Sequence, residues 1–241
     1  MKKFFLAIAK FFNLFPCPLC RIGNGNGQND LCDQCLASLE FIAIENHCRG
    51  CGGVLDGALA VCSKCQKEKK RPWLDAVSLF HYRGSGRELI LKFKSGSSPE
   101  IARPLGKLGA QAIEKSGFRF DAIVPIPLSF RSQWKRSYNQ SLLVAQQISA
   151  QLGIPVIEAL KCRIRHRKQA MLNRRERWKN SGDRFLAVKP ELFAGKRLLI
   201  VDDIFTTGST CTAAAKVLLK SGSREIYVFT CARTPGAADA K

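Results

Sequence analysis

Residues 198–210, LLIVDDIFTTGST, combine three chemical features in one short stretch of the chain. Leu198 to Val201 is an apolar run that predicts a buried strand of a parallel sheet. Asp202 and Asp203 follow at the carboxyl end of that strand, and a Thr-Thr-Gly-Ser-Thr turn then opens a helix. The N–H groups of a helix N-terminus attract an anion, and glycine allows the backbone to approach it closely. The stretch therefore predicts a sugar-phosphate site, with carboxylates for the sugar hydroxyls and the turn for the phosphate.

Two plainer interpretations explain only part of this motif. A pair of metal-binding aspartates accounts for the acids, and a simple capped helix accounts for the turn. Because neither accounts for both features, we favour the sugar-phosphate site. Its predicted binding residues are Asp202, Asp203, Thr206, Thr207, Gly208, Ser209 and Thr210.

Apolar runs with strand and helix patterns alternate over the second part of the chain. Such alternation indicates an α/β domain with a mainly parallel sheet, in which ligands bind beyond the carboxyl ends of the strands. The expected strands are 75–82, 121–127, 197–201 and 226–231. The expected helices are 86–93, 101–115, 138–152 and 210–220.

Eight of the eleven cysteines form four C-x2-C pairs within residues 17–65. In a chain without an export signal, this spacing indicates metal binding rather than disulfides. Each pair aims two thiolates at one ion, and two pairs complete a closed tetrahedral zinc site without room for a reactive water. The pattern predicts two structural zinc ions in a module with little core of its own, but leaves open which pairs share an ion. The predicted ligands are Cys17, Cys20, Cys32, Cys35, Cys48, Cys51, Cys62 and Cys65.

The net charge of +20 in 241 residues indicates a polyanionic partner or a phosphorylated substrate. Residues 1–70 carry nine basic and six acidic side chains, so the rest of the chain carries +17 of the charge. A merely soluble basic surface is the plainer explanation of the same composition.

Residues 161–184 concentrate this charge, with ten basic and two acidic side chains. They can serve as a lid over an active site, as a track for nucleic-acid phosphates, or only as a solvated face. Trp134, Tyr138 and Trp178 lie near basic residues and can stack on bases, although such aromatics also serve as core. The candidate DNA-binding residues are Arg163, Arg165, Arg167, Lys168, Arg174, Arg175 and Arg177.

The apolar run Phe4 to Ala9 is too short for a signal peptide, and no stretch approaches the length of a membrane span. We therefore expect a cytoplasmic protein. Residues 1–16 instead show phenylalanines at near-helical spacing, which predicts a short amphipathic helix. Whether this helix packs on protein or touches a membrane surface stays open.

The stretch LLIVDDIFTTGST resembles the phosphoribosyl-pyrophosphate (PRPP) motif of type I phosphoribosyltransferases. The whole chain, from Cys17 to about Arg233, resembles the competence protein F (ComF/GntX) family, in which a double zinc ribbon precedes such a domain. One departure is Ser137, where the family usually has glycine. Further matching segments are Leu91–Lys94, Val124–Ser129, Arg136–Gln140, and Gln169, Leu172, Arg177 and Asn180.

This resemblance implies a type I phosphoribosyltransferase-like fold and a role for each part of the site. Asp202 and Asp203 would hold the ribose hydroxyls, and Thr206 to Thr210 the 5′-phosphate. Ser129 and Arg131 would face the pyrophosphate, with Mg²⁺ bridging it to the ribose oxygens. Phosphoribosyl transfer needs no covalent nucleophile, so no catalytic residue can be assigned.

The charged run Lys67 to Arg71, which ends at Pro72, indicates a domain boundary near residue 70. We therefore expect a helix (1–16), a double zinc ribbon (17–70) and a phosphoribosyltransferase-like domain (71–241). The resemblance implies a role in DNA uptake, natural transformation or DNA utilisation, through single-stranded DNA and with a possible protein partner in the uptake machinery. The alternative is an active PRPP-dependent phosphoribosyltransferase in nucleotide metabolism or salvage. A P-loop kinase is excluded because the chain has no G-x-x-x-x-G-K-[ST] motif.

Overall fold

A computed structural model of the protein describes residues 16–22, 25, 31–55, 59–68, 70–128, 137–163 and 184–236. The helix predicted for residues 1–16 therefore lies almost wholly outside the described residues. In chain order the helices are α1 (Asp33–Ala37), α2 (Ser63–Lys67), α3 (Gly84–Lys94), α4 (Ala102–Ser116), α5 (Gln140–Leu152) and α6 (Ser209–Lys220). The strands are β1 (Asp75–His81), β2 (Ala122–Pro125), β3 (Leu160–Cys162), β4 (Phe185–Ala187), β5 (Arg197–Phe205) and β6 (Glu225–Arg233).

The central sheet contains four parallel strands in the order β1-β6-β5-β2 across the part of the chain that the structure describes. Each of these strands is an apolar run that is buried on both faces, as parallel sheets require. The predicted α/β class with a mainly parallel sheet is confirmed. Strand β5 extends four residues beyond the predicted end at Val201, so Asp202 and Asp203 are part of the strand.

The helices cover both faces of this sheet. Helices α3, α4 and α5 pack with Leu199 and Phe229 on one face, whereas α6 packs with Leu198 and Val228 on the other. A short antiparallel pair, β3 and β4, was missing from the sequence prediction. Both strands have three residues, and so short a run shows no alternation of its own.

The cysteine-rich segment packs on the edge of the sheet instead of standing apart from it. Residues 40–42 lie antiparallel to the outer edge of β1, with the Ile42 N–H donating to the Leu79 carbonyl at 2.9 Å. Cys17 and Cys35 belong to the apolar cluster on the α3–α5 face. Cys48, Cys51 and Cys62 belong to the cluster on the α6 face. The cysteine-rich segment thus packs against both faces of the edge strand β1.

A glycine-rich turn makes the closest of these contacts. Gly52 has φ +66°, and a Cβ at this position would lie 2.8 Å from the backbone nitrogen of Ser78 in β1. A Cβ on Gly53 would lie within 2.5 Å of the Arg233 guanidinium at the end of β6. A side chain at Gly52 would therefore require the edge strand to move, and one at Gly53 would displace the Arg233 guanidinium.

None of the described helices is both long and apolar enough to cross a membrane.

Candidate sugar-phosphate site

The two predicted carboxylates lie near the carboxyl end of the central strand β5. Asp202 is buried, and its Oδ1 accepts hydrogen bonds from the Ser141 hydroxyl at 3.3 Å and from the Asp203 N–H at 2.9 Å. Asp203 is partly buried and pairs with Lys94, whose Nζ lies 3.0 Å from its Oδ2. Helices α3 and α5 therefore each deliver one polar group to the carboxylates of β5.

Burial decides the protonation of Asp202. Loss of solvent and, after it, the charge of Asp203 raise the pKa of Asp202 to about 7, whereas the Asp203 N–H, Lys94 and Ser141 act in the opposite direction. Near neutral pH, the protonated and the ionised forms of Asp202 are therefore both populated. A hydroxyl donor or a cation at this position would favour the ionised form.

The turn between β5 and α6 has the geometry of an anion site. Gly208 has φ +72° and precedes the first residue of α6. A Cβ at this position would lie 2.5 Å from the ring of Phe205, so the turn requires glycine. Thr206, Thr207 and Ser209 are exposed. The N-terminus of a twelve-residue helix, with three exposed hydroxyls around it, suits a phosphate.

Three segments named by the family resemblance converge beside this turn and the two carboxylates. Asn139 caps α5 with its side-chain oxygen and donates from Nδ2 to the Ile126 carbonyl at 3.1 Å. The Tyr138 hydroxyl and the Gln140 amide both donate to the Phe93 carbonyl, at 2.7 and 3.2 Å. The hydroxyl of Tyr138 thus has a structural partner, and its ring packs on that of Phe93 at 5.7 Å.

Sequence reasoning gave no role to several residues that the structure brings to this site. Lys94 lay inside a matched segment, Ser141 directly follows another, and Arg184 was counted only as a charge. Arg184 donates from Nη1 to the Thr210 hydroxyl at 3.0 Å. No local pattern marks these contacts, because they join distant elements of the chain.

Much of the predicted pyrophosphate loop and basic segment lies outside the described residues. This applies to the two aromatics Trp134 and Trp178 and to Ser129, Arg131, Arg165, Arg167, Lys168, Arg174, Arg175 and Arg177. The two described ends of the basic segment are informative. The Arg163 N–H donates to the Arg184 carbonyl at 3.0 Å, so both ends lie together beside the Thr210 turn.

The cysteines gather in two groups of four, and in each group all four sulfurs lie within 4.8 Å of one another. The first group joins the two C-x2-C pairs of residues 17–35, and the second joins those of residues 48–65. Two sulfur distances, Cys20 to Cys32 at 3.7 Å and Cys51 to Cys62 at 3.8 Å, match the roughly 3.8 Å edge of a tetrahedron with ~2.3 Å Zn–S bonds. Each group of four, which joins two consecutive C-x2-C pairs, can therefore hold one zinc ion. This answers the question, left open by the sequence, of which pairs share an ion.

In the second group, hydrogen bonds favour the thiolate form of Cys48, and the same bonds to Cys48 raise the pKa values of Cys51 and Cys65. Hydrogen bonds from the side chains of Cys51 and Cys65 lower the pKa of Cys48, and the Cys62 N–H donates to its sulfur at 3.1 Å. His47 is no competitor as a ligand. Its ring nitrogens contact the Ile44 carbonyl and, at 2.8 Å, the Asp75 carboxylate.

Comparison with known proteins agrees with this geometry. Residues 97–241 match the phosphoribosyl transferase domain family. The chain is 34% identical to competence protein F of Haemophilus influenzae, over 92% of this chain and 98% of that protein. It is 30% identical to the DNA utilization protein YhgH of Escherichia coli, over 90% and 96% of the two chains. It is 26% identical to competence protein ComFC of Bacillus subtilis, over 85% and 84%.

The matched domain covers more than half of the chain, and the relative from Haemophilus influenzae aligns over almost its full length. The two cysteine groups precede the matched domain, as the double zinc ribbon of the expected architecture requires. The protein therefore belongs to the competence protein F family, with a domain of the phosphoribosyl transferase family.

Proposed function

We propose that this protein binds PRPP or a nucleotide phosphate, with Mg²⁺, at the β5–α6 turn and acts in DNA uptake or DNA utilisation through single-stranded DNA. The observation that carries the ligand proposal is the placement of a buried and a partly buried carboxylate, Asp202 and Asp203, shortly before the Gly208 turn and the α6 N-terminus. The names of its relatives support the DNA-related role.

Each part of the site has a chemical role in this proposal. Asp202 and Asp203 accept hydrogen bonds from the ribose hydroxyls, and the turn from Thr206 to Thr210 donates to the 5′-phosphate. The family resemblance assigns Ser129 and Arg131 to the pyrophosphate. Mg²⁺, when bound, neutralises charge on the pyrophosphate oxygens. Carboxylate oxygens are suitable partners for this hard cation or for its bound water.

The ligand site predicts a specific thermal response. PRPP with Mg²⁺ is expected to raise the melting temperature of the wild-type protein, since a ligand at a hundred times its Kd adds about 2.7 kcal/mol to stability. The double variant Asp202→Asn/Asp203→Asn should lose this response, because amides cannot replace both carboxylates. Thermal-shift titration of both proteins measures the effect.

The matched control is Asp121→Asn. Asp121 pairs with Arg197 at the opposite end of β5, with 2.9 Å between Oδ1 and Nη2. This variant should respond to PRPP as the wild type does. An unchanged response of the double variant would place the ligand elsewhere, and the absence of any wild-type response would refute the proposed site.

The proposal for DNA rests on charge and on the position of the basic segment. The segment leaves and rejoins the described fold beside Thr210, where Arg163 and Arg184 are hydrogen-bonded. Its ten cations exceed what one pyrophosphate can engage, and a single strand offers many phosphates. A DNA strand along this segment would thus pass close to the sugar-phosphate site.

Neutralising six of these cations is expected to weaken single-stranded DNA binding by a similar factor for every sequence. The slope of log affinity against log salt should flatten by up to ~0.7 for each phosphate that the variant no longer neutralises. Fluorescence anisotropy with labelled oligomers at several salt concentrations measures both quantities. The changed positions are Arg163, Arg165, Arg167, Lys168, Arg174 and Arg175.

A control variant should lose the same charge from other surfaces and keep most of the affinity. The described part of the chain offers six exposed positions for it: Arg87, Lys115, Arg119, Lys189, Lys220 and Arg224. If both variants weaken binding equally, net charge and not the basic segment attracts DNA. If the first variant binds single-stranded DNA with the affinity and the salt slope of the wild type, the basic segment does not bind the DNA phosphates.

The alternative function is PRPP-dependent phosphoribosyl transfer in nucleotide metabolism. It is supported by the intact PRPP motif, whose carboxylates, glycine and hydroxyls lie at the end of β5 and the start of α6. Release of pyrophosphate from PRPP in the presence of a nucleobase would support this alternative. PRPP binding without such release favours a ligand-regulated DNA-handling protein.

We also propose a cytoplasmic location, and a protein partner in the DNA-uptake machinery as a further candidate. Eight cysteines in metal-binding pairs suit a reducing compartment, in which thiols stay free for zinc.

A further inference from the structure

Arg71 lies behind the phosphate turn although it belongs to the segment that follows the second cysteine group. The carbon of its guanidinium lies 5.6 Å from the ring centre of Trp73 and 5.9 Å from that of Phe205. A Cβ on Gly208 would lie 3.2 Å from its Nη1. The cation is therefore in contact range of the backbone that we assign to the 5′-phosphate.

Arg71 is mostly buried, and one of its buried N–H groups has no partner among the described residues. Its side chain is 14% exposed, and Nη2 donates to the Glu68 carboxylate. Its Nε is buried and has no hydrogen-bond partner among the residues that the structure describes. Trp73 lies beside it, and its Nε1 is likewise buried without such a partner. A mostly buried cation with one carboxylate partner is stabilised further by an anion placed nearby.

Arg71 also packs on the aromatic rings beside the turn. Phe205, which excludes a side chain at Gly208, is packed edge-on against Trp73 at 6.3 Å, and Arg71 covers both rings. The charge reaches the first turn of α6 as well. Burial raises the pKa of the Cys211 thiol, and Arg71 acts against this rise.

We propose that Arg71 is a positioning residue of the 5′-phosphate site, in which it adds a fixed positive charge behind Gly208. The inference rests on the function proposed above and extends it. Glu68, which holds Arg71, comes three residues after Cys65. The second cysteine group is thereby connected to the phosphate turn. Zinc that orders this segment should hold Arg71 at the turn and so favour phosphate binding, and by linkage the phosphate should favour zinc binding by the same factor.

The test compares two substitutions of Arg71 in the zinc-loaded full chain. Arg71→Met removes the charge and keeps much of the length, and we expect it to weaken binding of PRPP–Mg²⁺ and of ribose 5-phosphate about tenfold. Arg71→Lys keeps the charge and loses the planar stacking, so it should retain most of the affinity. Isothermal titration calorimetry gives each Kd. Arg197→Met, which breaks an arginine–carboxylate pair at the far end of β5, should bind as the wild type does.

Zinc release to a chromogenic chelator provides a second measurement that does not depend on catalysis. PRPP–Mg²⁺ should slow release from the wild type several-fold and should have less effect on Arg71→Met. Equal affinities of the wild type and Arg71→Met would overturn the inference and leave the proposed function standing. The inference would also be overturned if Arg71→Lys lost as much affinity as Arg71→Met, because the loss would then come from packing and not from charge. If the wild type binds neither probe, the proposed function falls first, and the inference with it.

Discussion

Removal of zinc is expected to unfold the phosphoribosyl transferase domain together with the cysteine-rich segment. From the sequence alone we would expect the ribbon to unfold and the α/β domain to stay largely intact. The contacts of the described residues favour the other outcome. Cys17 and Cys35 lie in the core on one face of the sheet, Cys48 and Cys51 lie in the core on the other, and residues 40–42 cover the edge of β1.

The expected effect is large. A structural zinc site contributes on the order of 10 kcal/mol, whereas a whole domain is stable by about 5–15 kcal/mol. Loss of either ion would expose apolar surface on β1 as well as on the ribbon. Cys48→Ser, or a strong chelator, should therefore abolish the folded state at 37 °C. Far-UV circular dichroism and hydrogen exchange on β1 measure this.

Cys162→Ser is the control, because Cys162 belongs to neither group of four. Its sulfur makes one weak hydrogen bond to the described residues, 3.6 Å to the Pro127 carbonyl, and this variant should melt close to the wild type. A chelated protein that keeps a cooperative transition and slow exchange in β1 would show that the domain folds without its metal.

The sheet and its main helices could be predicted from the sequence because their signals are local. The apolar run at Leu198 to Val201 becomes the middle of a buried strand, and the helix expected at 210–220 begins one residue earlier. The end of β5 was misjudged because Asp202 and Asp203 are polar, although the strand continues through them to Phe205. Hydrogen bonding to β6 carries the strand past this polar pair.

The parts of the site that sequence could not reveal depend on tertiary contacts. Lys94 reaches Asp203 across 109 positions of the chain, and Ser141 reaches Asp202 across 61. Arg71 stood only at the end of a charged run, and nothing in that run points to Gly208. Similarly, the C-x2-C spacing allows several pairings, and only the packing on both faces of β1 separates the two groups.

The free energy of unfolding should depend on pH through Asp202, and Asp202→Asn should stabilise the ligand-free protein. Burial, and after it the charge of Asp203, raises the pKa of Asp202 from 3.8 to about 7. Between these values the unfolded chain is ionised and the native carboxyl is protonated. Stability therefore falls as pH rises from about 4 to about 7, and it changes little above. At pH 7.5 the buried carboxylate lowers the free energy of unfolding by nearly its full amount, up to about 4 kcal/mol.

Asparagine cannot ionise, so Asp202→Asn avoids this cost while it loses PRPP binding. We expect the variant to melt several degrees above the wild type at pH 7.5, and the difference to shrink by roughly 1 kcal/mol at pH 6. Calorimetry between pH 6 and 8.5 keeps the zinc ligands deprotonated during the measurement. Asp121→Asn is the control, because Arg197 lowers the pKa of Asp121 and keeps it ionised over this range. The prediction is wrong if Asp202→Asn is no more stable than the wild type, or if the difference in stability does not depend on pH. Either result would show that burial of the Asp202 carboxylate does not destabilise the native state. If Asp202→Asn is more stable as expected, the carboxylate that the ligand needs lowers the stability of the ligand-free protein.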